Sequence, residues 1–162
     1  MHKINIFKSK NDLNINFDKF SYITIISGIP GSGKENLLIT LIYSLCLYYT
    51  PNEVNIYILD FGTESLKNFE KTPHIGDVVT VQNADKIPNL LKYLNKEIEK
   101  RRQLFSEYNG NINDYNRLND KKVPLIMIFI NSFEALLENS SSDLYGQLVY
   151  FFREGTKYGI IF

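Results

Sequence analysis

Short apolar runs and longer stretches of helical periodicity alternate along most of the chain. The runs that predict buried strands lie at residues 23–26, 54–59, 78–81, 125–130 and 158–162. The stretches whose apolar positions recur at helical spacing lie at residues 37–45, 85–105 and 143–153. Strands separated by helices of this length pair in parallel through right-handed crossovers, so the pattern predicts an α/β domain. The run at 125–130 is the most apolar, and we expect it to be a fully buried central strand.

The first twenty residues carry a different pattern. Residues 3–7 and 13–17 alternate apolar and polar positions around a polar stretch, which predicts a small antiparallel hairpin. With 162 residues, 44% of them hydrophobic, the chain is sized for one core. No repeat, low-complexity block or linker divides it. We therefore expect a single domain with an N-terminal hairpin at 1–20 and a core at 21–162. Within the core, residues 64–69 predict a short helix, and the Asn-rich residues 108–122 predict a loop with one helical turn at most.

A glycine-rich loop joins the first core strand to the first helix. The stretch Gly28-Ile29-Pro30-Gly31-Ser32-Gly33-Lys34 follows the Gly-x4-Gly-Lys frame of the P-loop motif. In that motif the glycines let backbone N–H groups turn toward a phosphate at the positive end of a helix, and the lysine adds a charge for the β and γ oxygens. The residues expected to bind nucleotide are Gly28, Pro30, Gly31, Ser32, Gly33, Lys34, Glu35 and Asn36.

Glu35 breaks the motif, because the residue after the lysine is normally a serine or threonine whose hydroxyl binds Mg²⁺. Two interpretations remain open. A carboxylate about 5 Å from a polyphosphate oxygen repels it by roughly 3 kcal/mol at an effective dielectric of 20, which weakens binding of Mg·ATP. Alternatively, an acid in the first helical turn offsets the helix dipole and pairs with Lys34, so that the protein's own charge takes the anion site. Either way, we expect weak ATP binding and doubt magnesium binding.

The second half of a P-loop ATPase site is altered as well. A carboxylate at the end of a neighbouring strand normally holds the Mg²⁺ shell, and a glutamate orients the attacking water. The run at 125–130 instead delivers Asn131 and Ser132, a neutral ligand and a hydroxyl without basicity. Asp60 also follows a strand, and we interpret it as a turn cap, with a pocket carboxylate as the alternative. Glu134 is the remaining acid that could substitute. We expect no intact catalytic residue.

Charge and composition restrict the function further. Basic and acidic residues number 18 each, so the formal net charge is zero, which argues against a direct grip on DNA. Residues 96–102 mix both signs, with Glu97 four positions before Arg101. We interpret them as a solvated helix face and keep a nucleic-acid stripe as the alternative. No stretch of 18 apolar residues occurs, so we expect this segment to be soluble. Cys46 lies among apolar helix residues, as a core thiol does.

Taken together, the motifs resemble the FtsK/SpoIIIE branch of RecA-like ATPases, and most closely the ATPase modules of the type VII secretion motor of the EssC/EccC kind. The stretches that carry the resemblance are residues 28–34, 57–63, 73–75, 97–105 and 129–136. They are spread over nearly the whole of 21–162. The sequence departs from the family at Asn131 and Ser132, the Walker B positions, where the family usually has an Asp-Glu or Asp-Asn pair.

The resemblance implies a module of a hexamerising, membrane-anchored motor at the cytoplasmic face of the cell membrane. Such a motor exports helical-hairpin proteins of the WXG type, and its later modules are often degenerate. We therefore expect a degenerate ATPase module with a structural, regulatory or substrate-receiving role. The alternatives are an active ATPase module completed by neighbouring subunits and an FtsK-like DNA translocase module. Arg153 lies where a family arginine could reach a neighbour's site, although a cation that complements a helix end is the other interpretation.

The resemblance also implies the architecture, a RecA-like P-loop NTPase sheet that is mainly parallel. Sheets of this type have the strand order 5-1-4-3-2, with the P-loop strand as strand 1. Residues 21–162 would supply four of these core strands and leave the P-loop strand without its outer neighbour. We therefore expect a sheet truncated after the fourth core strand, in a fragment of a longer, multi-module chain.

Overall fold

The structure is a computed structural model that describes residues 23–162 together with the backbone of two short strands, β1 (Lys3–Asn5) and β2 (Asn14–Asn16). These two strands pair antiparallel, as the alternating pattern at the start of the chain predicts. The rest of the predicted hairpin at 1–20 lies outside the described residues.

The core sheet has four parallel strands, so the predicted α/β class is confirmed. The strands are β3 (Val54–Asp60), β4 (Ile75–Thr80), β5 (Leu125–Asn131) and β6 (Ile160–Ile161). Their order across the sheet is β4-β3-β5-β6. The most apolar run, β5, lies inside the sheet between β3 and β6, which confirms its central position. The carboxyl ends of β3 and β5 therefore meet at one edge, where the polar residues that follow both strands come together. The strand β5 is not fully buried as predicted, because only its residues 126–128 are buried and the others are half-buried.

Helices cover both faces of the sheet. They are α1 (Lys34–Tyr48), α2 (Ile87–Leu104), α3 (Ile112–Leu118), α4 (Phe133–Glu138) and α5 (Leu144–Glu154). Because successive strand residues point to opposite faces, the apolar core has two halves. One half lies between α1 and the sheet and includes Ile42 and Ile58. The other half lies between the sheet and the helices α2 and α5, and it includes Ile98, Ile128 and Phe151. Among the described residues, no helix is both long and apolar enough to span a bilayer.

The apolar run at 23–26 is not the buried strand that the sequence predicts. Ile23 and Ile25 are 38% and 78% exposed, and no strand is formed there. One ladder hydrogen bond is made on one side, from the N–H of Thr24 to the carbonyl of Phe162 at 2.9 Å. Apolar composition predicts burial, but a strand also needs ladder partners. The bond places this segment beside β6, which is the position of the P-loop strand in the order that the resemblance implies.

The regions around α2 correct three further expectations. The helix predicted from residue 85 begins at Ile87 instead. Residues Val81–Lys86 form a 3-10 turn, which the hydroxyl of Thr80 caps by accepting from the N–H of Gln82 at 3.3 Å. Residues 108–122 are not simply a loop but contain α3, which begins after Asn111. The charged face at 96–102 is not uniformly solvated, because Arg101 is 1% exposed.

Arg101 is buried by contacts with a distant part of the chain. Its Nε donates to Oε1 of Glu97 at 2.9 Å, and its Nη1 donates to the carbonyl of Tyr158 at 2.6 Å, just before β6. Helical periodicity places Arg101 among charged neighbours, but it contains no information about Tyr158. The guanidinium fixes α2 to the segment that leads into the last strand of the sheet.

Candidate nucleotide site

The P-loop segment forms an open turn at the start of α1. Gly31 and Gly33 have φ angles of +79° and +85°, in the left-handed region that glycine adopts without strain. The N–H of Ser32 donates to the carbonyl of Ile29 at 3.2 Å and closes the turn. All residues from 28 to 33 are exposed. The glycines of the motif therefore lie where the backbone needs them, and the loop faces solvent.

The Lys34 side chain is folded back onto this loop. Its Nζ donates to the carbonyl of Gly28 at 2.5 Å and to that of Ile29 at 3.0 Å. The ammonium group thus lies at the turn whose backbone the motif uses to surround phosphate. Pro30 and Asn36, two other predicted site residues, are exposed near the same helix start.

The Glu35 carboxylate binds a different part of the molecule from the one predicted. Its Oε1 accepts hydrogen bonds from the hydroxyls of Thr63 and Ser65, in the loop after β3. The interpretation that Glu35 pairs with Lys34 is therefore wrong. Glu35 binds the two hydroxyls, whereas Lys34 binds the carbonyls of the P-loop. The hydrogen bond from Ser65, and to a smaller extent the one from Thr63, favours the charged form and lowers the pKa of Glu35. The carboxylate is thus ionised at neutral pH, in the first turn of α1, where the helix dipole favours a negative charge.

Asp60 and Asn131 are the last residues of β3 and β5 and lie side by side in the sheet. The Asp60 side chain is fully buried. Its Oδ2 accepts from the N–H of Leu66 at 2.9 Å, and its Oδ1 accepts from the N–H of Gly62 at 3.3 Å and from Nδ2 of Asn131 at 2.9 Å. This geometry makes Asp60 the cap of the turn after β3, which is the first of the two roles considered from the sequence.

Gly62 leaves the space in which the Asn131 side chain lies. A Cβ at Gly62 would be 2.6 Å from Nδ2 of Asn131, well inside a normal contact distance. The main chain joins the same two segments, since the N–H of Phe61 donates to the carbonyl of Asn131 at 3.0 Å. The backbone carbonyl of Asn131 therefore binds the first residue after β3, and its side-chain nitrogen binds Asp60, the residue that caps the turn.

The polar residues that follow Asn131, Ser132 and Glu134, provide no buried carboxylate. Ser132 is exposed, has a φ angle of +63°, and precedes α4 without a capping side-chain hydrogen bond. Glu134 is exposed in the first turn of α4. Among the residues that the structure describes, no group of three or more His, Cys, Asp or Glu side chains is arranged to hold a metal ion.

Thr63 and Ser65 are partners of Glu35 that we did not predict from the sequence. Both are hydroxyl residues in a polar turn, where periodicity gives no signal. Their role depends on the approach of the turn after β3 to the start of α1. In the sequence, Thr63 and Ser65 lie 28 and 30 residues after Glu35. In the sequence, this turn is indicated by the resemblance at residues 57–63 and by the interpretation of Asp60 as a turn cap.

Arg153 lies in a separate groove formed by α5 and the end of α2. The groove has a volume of about 410 Å³, and its lining residues are Arg102, Gly146, Val149, Tyr150, Arg153 and Glu154. None of these residues belongs to the P-loop or to the ends of β3 and β5. Within this chain Arg153 is therefore not part of the candidate nucleotide site.

Comparison with protein families gives one match that covers most of the chain. The sequence model of the FtsK/SpoIIIE family matches residues 3–149. The chain is 30% identical over 139 residues to the type VII secretion system protein EssC of Staphylococcus aureus strain Mu50, and 33% identical over 138 residues to the ESX secretion system protein EccC of Geobacillus thermodenitrificans. Each alignment covers 85% of this chain but 9% of the relative, so the chain spans about a tenth of the length of these proteins.

Solved structures of the same group have the same fold. A structure of ATPases 2 and 3 of EssC from Geobacillus thermodenitrificans matches with a TM-score of 0.83 at 30% identity, over 95% of this chain and 30% of that one. ATPases 2 and 3 of Thermomonospora curvata EccC, solved in complex with a signal sequence peptide, match with a TM-score of 0.82 at 28% identity, over 93% and 28% of the two chains. The fold of this chain is therefore the fold of ATPase domains of EssC and EccC.

Proposed function

The chain belongs to the FtsK/SpoIIIE family, and from that premise we propose that it is a degenerate ATPase module of a type VII secretion motor. In this proposal the module has a structural, regulatory or substrate-receiving role and hydrolyses little or no ATP. The similarity to EssC and EccC over 85% of the chain supports the choice of motor. Because the chain covers only a small part of those relatives, the activity of the whole motor is part of the proposal.

The hydrogen bond between Asn131 and Asp60 is the observation that carries the proposal. A P-loop ATPase holds its Mg²⁺ shell with a carboxylate at the end of the strand that corresponds to β5 in this chain. That strand ends in a neutral amide whose nitrogen lies 2.9 Å from Oδ1 of Asp60. Asp60 itself is fully buried and binds two backbone N–H groups. Neither residue leaves a carboxylate oxygen free to face a bound nucleotide.

The remaining donors also do not fit a magnesium ion. Magnesium prefers near-ideal octahedral oxygen coordination, with one or two carboxylates and substrate phosphates among its ligands. Glu35 stands where the motif has a hydroxyl, and its carboxylate is engaged by Thr63 and Ser65. Ser132 and Glu134 are exposed and make no side-chain hydrogen bond among the described residues. We therefore infer that this site does not assemble the metal shell that ATP hydrolysis needs.

The glycine loop itself retains the features that bind phosphate. Gly31 and Gly33 adopt the left-handed conformation, and Lys34 lies against the loop carbonyls. An anion that entered the turn would meet backbone N–H groups and, after Lys34 left the carbonyls, an ammonium group. This supports weak binding of ATP, with an affinity that Mg²⁺ does not improve.

The partners in this proposal follow from the relatives. An EccC of the same group was solved with a signal sequence peptide, which supports a role in receiving secreted proteins, those of the WXG helical-hairpin type. Other modules of the same motor and hexameric neighbours are the further partners, at the cytoplasmic face of the cell membrane. The zero net charge supports the absence of direct DNA binding.

Titration calorimetry and phosphate release test the proposal directly. For the purified chain with Mg·ATP, we expect no steady release of phosphate above the background of the Lys34→Ala variant. We also expect binding that is weaker than micromolar and unchanged when EDTA replaces magnesium. Micromolar binding that requires magnesium, together with steady turnover that Lys34→Ala abolishes, would show that the module is an active ATPase.

The intact glycine loop also favours a second candidate, an active ATPase module completed by neighbouring subunits. In this alternative a neighbour supplies the carboxylate that Asn131 lacks. The full assembly would then hydrolyse ATP at this module, and Lys34→Ala in this module alone would remove that share of the turnover. Unchanged turnover of the assembly in this variant would rule the alternative out.

A further inference from the structure

We propose that Glu35 is a positioning residue of the nucleotide site, because it joins the start of α1 to the turn after β3 through the protein's own hydrogen bonds. We call the contact between Glu35, Thr63 and Ser65 the Glu35 clasp. The inference rests on the proposed function, since it concerns a site that does not use a metal. In an active P-loop ATPase the metal is held by the P-loop hydroxyl residue and by the neighbouring strand end, so that it joins them. The clasp makes a comparable connection without a ligand.

The clasp is one end of a continuous set of contacts. Glu35 binds the hydroxyls of Thr63 and Ser65. The same turn is capped by Asp60, through the N–H groups of Gly62 and Leu66. Asp60 in turn accepts from the side chain of Asn131 at the end of β5. The helix that follows the P-loop is thereby connected to the ends of both β3 and β5.

Charge makes the clasp stronger than a contact between neutral groups. Hydrogen bonds to an ionised acceptor stabilise a fold more than neutral ones do, and two hydroxyls share the Glu35 carboxylate. The carboxylate also lies in the first turn of α1, where the helix dipole favours it. The turn after β3 is therefore held against α1 whether or not a nucleotide is present.

Hydrogen exchange of the turn tests the clasp. The reporting amides are those of Gly62, Leu66 and Lys67, each of which donates a hydrogen bond within the turn. We expect Glu35→Ala to speed exchange at these amides at least about tenfold, as the loss of hydrogen bonds to a charged acceptor implies. Glu35→Gln should give a smaller increase, because its amide oxygen still accepts from both hydroxyls.

A double-mutant cycle separates the clasp from general destabilisation. The double variant Thr63→Ala/Ser65→Ala removes the donors, and Glu35→Ala removes the acceptor of the same bonds. Combining them should therefore speed exchange no more than either change alone. The matched control is Glu134→Ala, an exposed acid in the first turn of α4, which should leave the three amides unchanged. Additive effects, or unchanged exchange in Glu35→Ala, would overturn the clasp.

Addition of Mg·ATP tests whether the clasp needs a ligand to hold the turn. If the clasp holds the turn without a ligand, wild-type exchange at the three amides is the same with and without Mg·ATP. Protection that appears only with Mg·ATP would contradict the clasp. Phosphate release is measured separately, so a chain that hydrolyses ATP yet shows ligand-independent protection would refute the proposed function and leave the clasp intact.

Discussion

Nδ2 of Asn131 lies 2.9 Å from Oδ1 of Asp60, and the two residues are direct neighbours at the ends of two parallel strands. The pair explains why the neutral residue suits this position. Asp60 is fully buried and is needed by the turn after β3. A second carboxylate at position 131 would face the first across the strand pair. The amide instead donates to Asp60, so the missing metal carboxylate and the buried turn cap are parts of one arrangement.

Asn131→Asp should therefore fail to restore an ATPase site by itself. Two carboxylates at this distance repel each other, and one of the pair must take up a proton or move apart. We expect a loss of stability of about 2 kcal/mol near neutral pH, mainly because the half-buried amide donor of Asn131 is replaced by a second charge beside the buried Asp60. The pair's repulsion raises a folded-state pKa above its unfolded value, so the loss should shrink as the pH falls. Urea unfolding at neutral and acid pH measures both effects.

The exchanged pair Asp60→Asn/Asn131→Asp is the control for this prediction. One amide oxygen at position 60 can still accept from Leu66, while its nitrogen can donate to the new carboxylate. The double variant should therefore recover stability relative to Asn131→Asp, but only in part, because the N–H of Gly62 loses Oδ1 of Asp60 as its acceptor. If Asn131→Asp alone is as stable as the wild type and gains magnesium-dependent ATP binding, the coupling between Asp60 and Asn131 does not govern this site.

The sequence predicted where Lys34, Glu35 and Asn131 lie in the fold, but not what their side chains contact. The P-loop frame identifies Lys34 and Glu35, and the apolar run before Asn131 identifies the end of β5, because local spacing determines both. The partners of Glu35 and Asn131 lie 28, 30 and 71 residues away in the chain. Such partners depend on how the strand ends come together, which periodicity does not encode. The ion pair with Lys34 was wrong for this reason.

Gly62→Ala should break the bond between Asn131 and Asp60 by steric means. The added Cβ would lie 2.6 Å from Nδ2 of Asn131, so the amide must move away from the Asp60 carboxylate. We expect a loss of about 1–3 kcal/mol, the usual range for a methyl group forced into a filled space. Thermal and urea unfolding measure the change.

Gly146→Ala is the matched control for this substitution. Gly146 is exposed within α5, and its added Cβ would approach only Oδ1 of Asp143, at 3.8 Å. Alanine is the better helix former, so this variant should gain about 0.5–1 kcal/mol. A loss in Gly146→Ala as large as that in Gly62→Ala would mean that the crowding of Asn131 is not the cause.

The core strands and the three longer helices were more predictable than the ends and edges of the elements. The apolar runs of β3, β4, β5 and β6 follow directly from burial on both faces of a parallel sheet. The run at 23–26 has the same composition but makes a single ladder bond, to Phe162, and stays exposed. The helix α3 is longer than the single helical turn expected in its stretch, because its sequence is Asn-rich and gives little helical signal. It is started by Asn111, whose side chain accepts from the N–H of Asp114 at 3.0 Å.

Arg101→Met should destabilise the fold strongly. The guanidinium is 1% exposed, donates to Glu97 at 2.9 Å, and donates to the carbonyl of Tyr158 at 2.6 Å. Removing it leaves a largely buried carboxylate and a buried carbonyl without this donor, which costs about 3 kcal/mol. Lys100→Met is the control, because Lys100 also approaches Glu97, at 3.4 Å, but is 71% exposed. It should cost less than about 1 kcal/mol by urea unfolding, and equal losses would argue against a special role for Arg101.

Glu97 should make the effect of Arg101→Met depend on pH. Burial raises the pKa of Glu97, but the hydrogen bond and charge of Arg101, with a contribution from Lys100, outweigh it and lower the pKa below 4.5. In the wild type this contribution to stability is present above the unfolded pKa and is lost as the pH falls through the folded one. In Arg101→Met, burial dominates, so the pKa of Glu97 rises and protonation of Glu97 favours the folded state as the pH falls. The stability difference between the two proteins should therefore shrink between about pH 7 and about pH 4 in urea unfolding. A difference that stays constant over this range would show that Arg101 stabilises the fold through the Tyr158 carbonyl and packing alone.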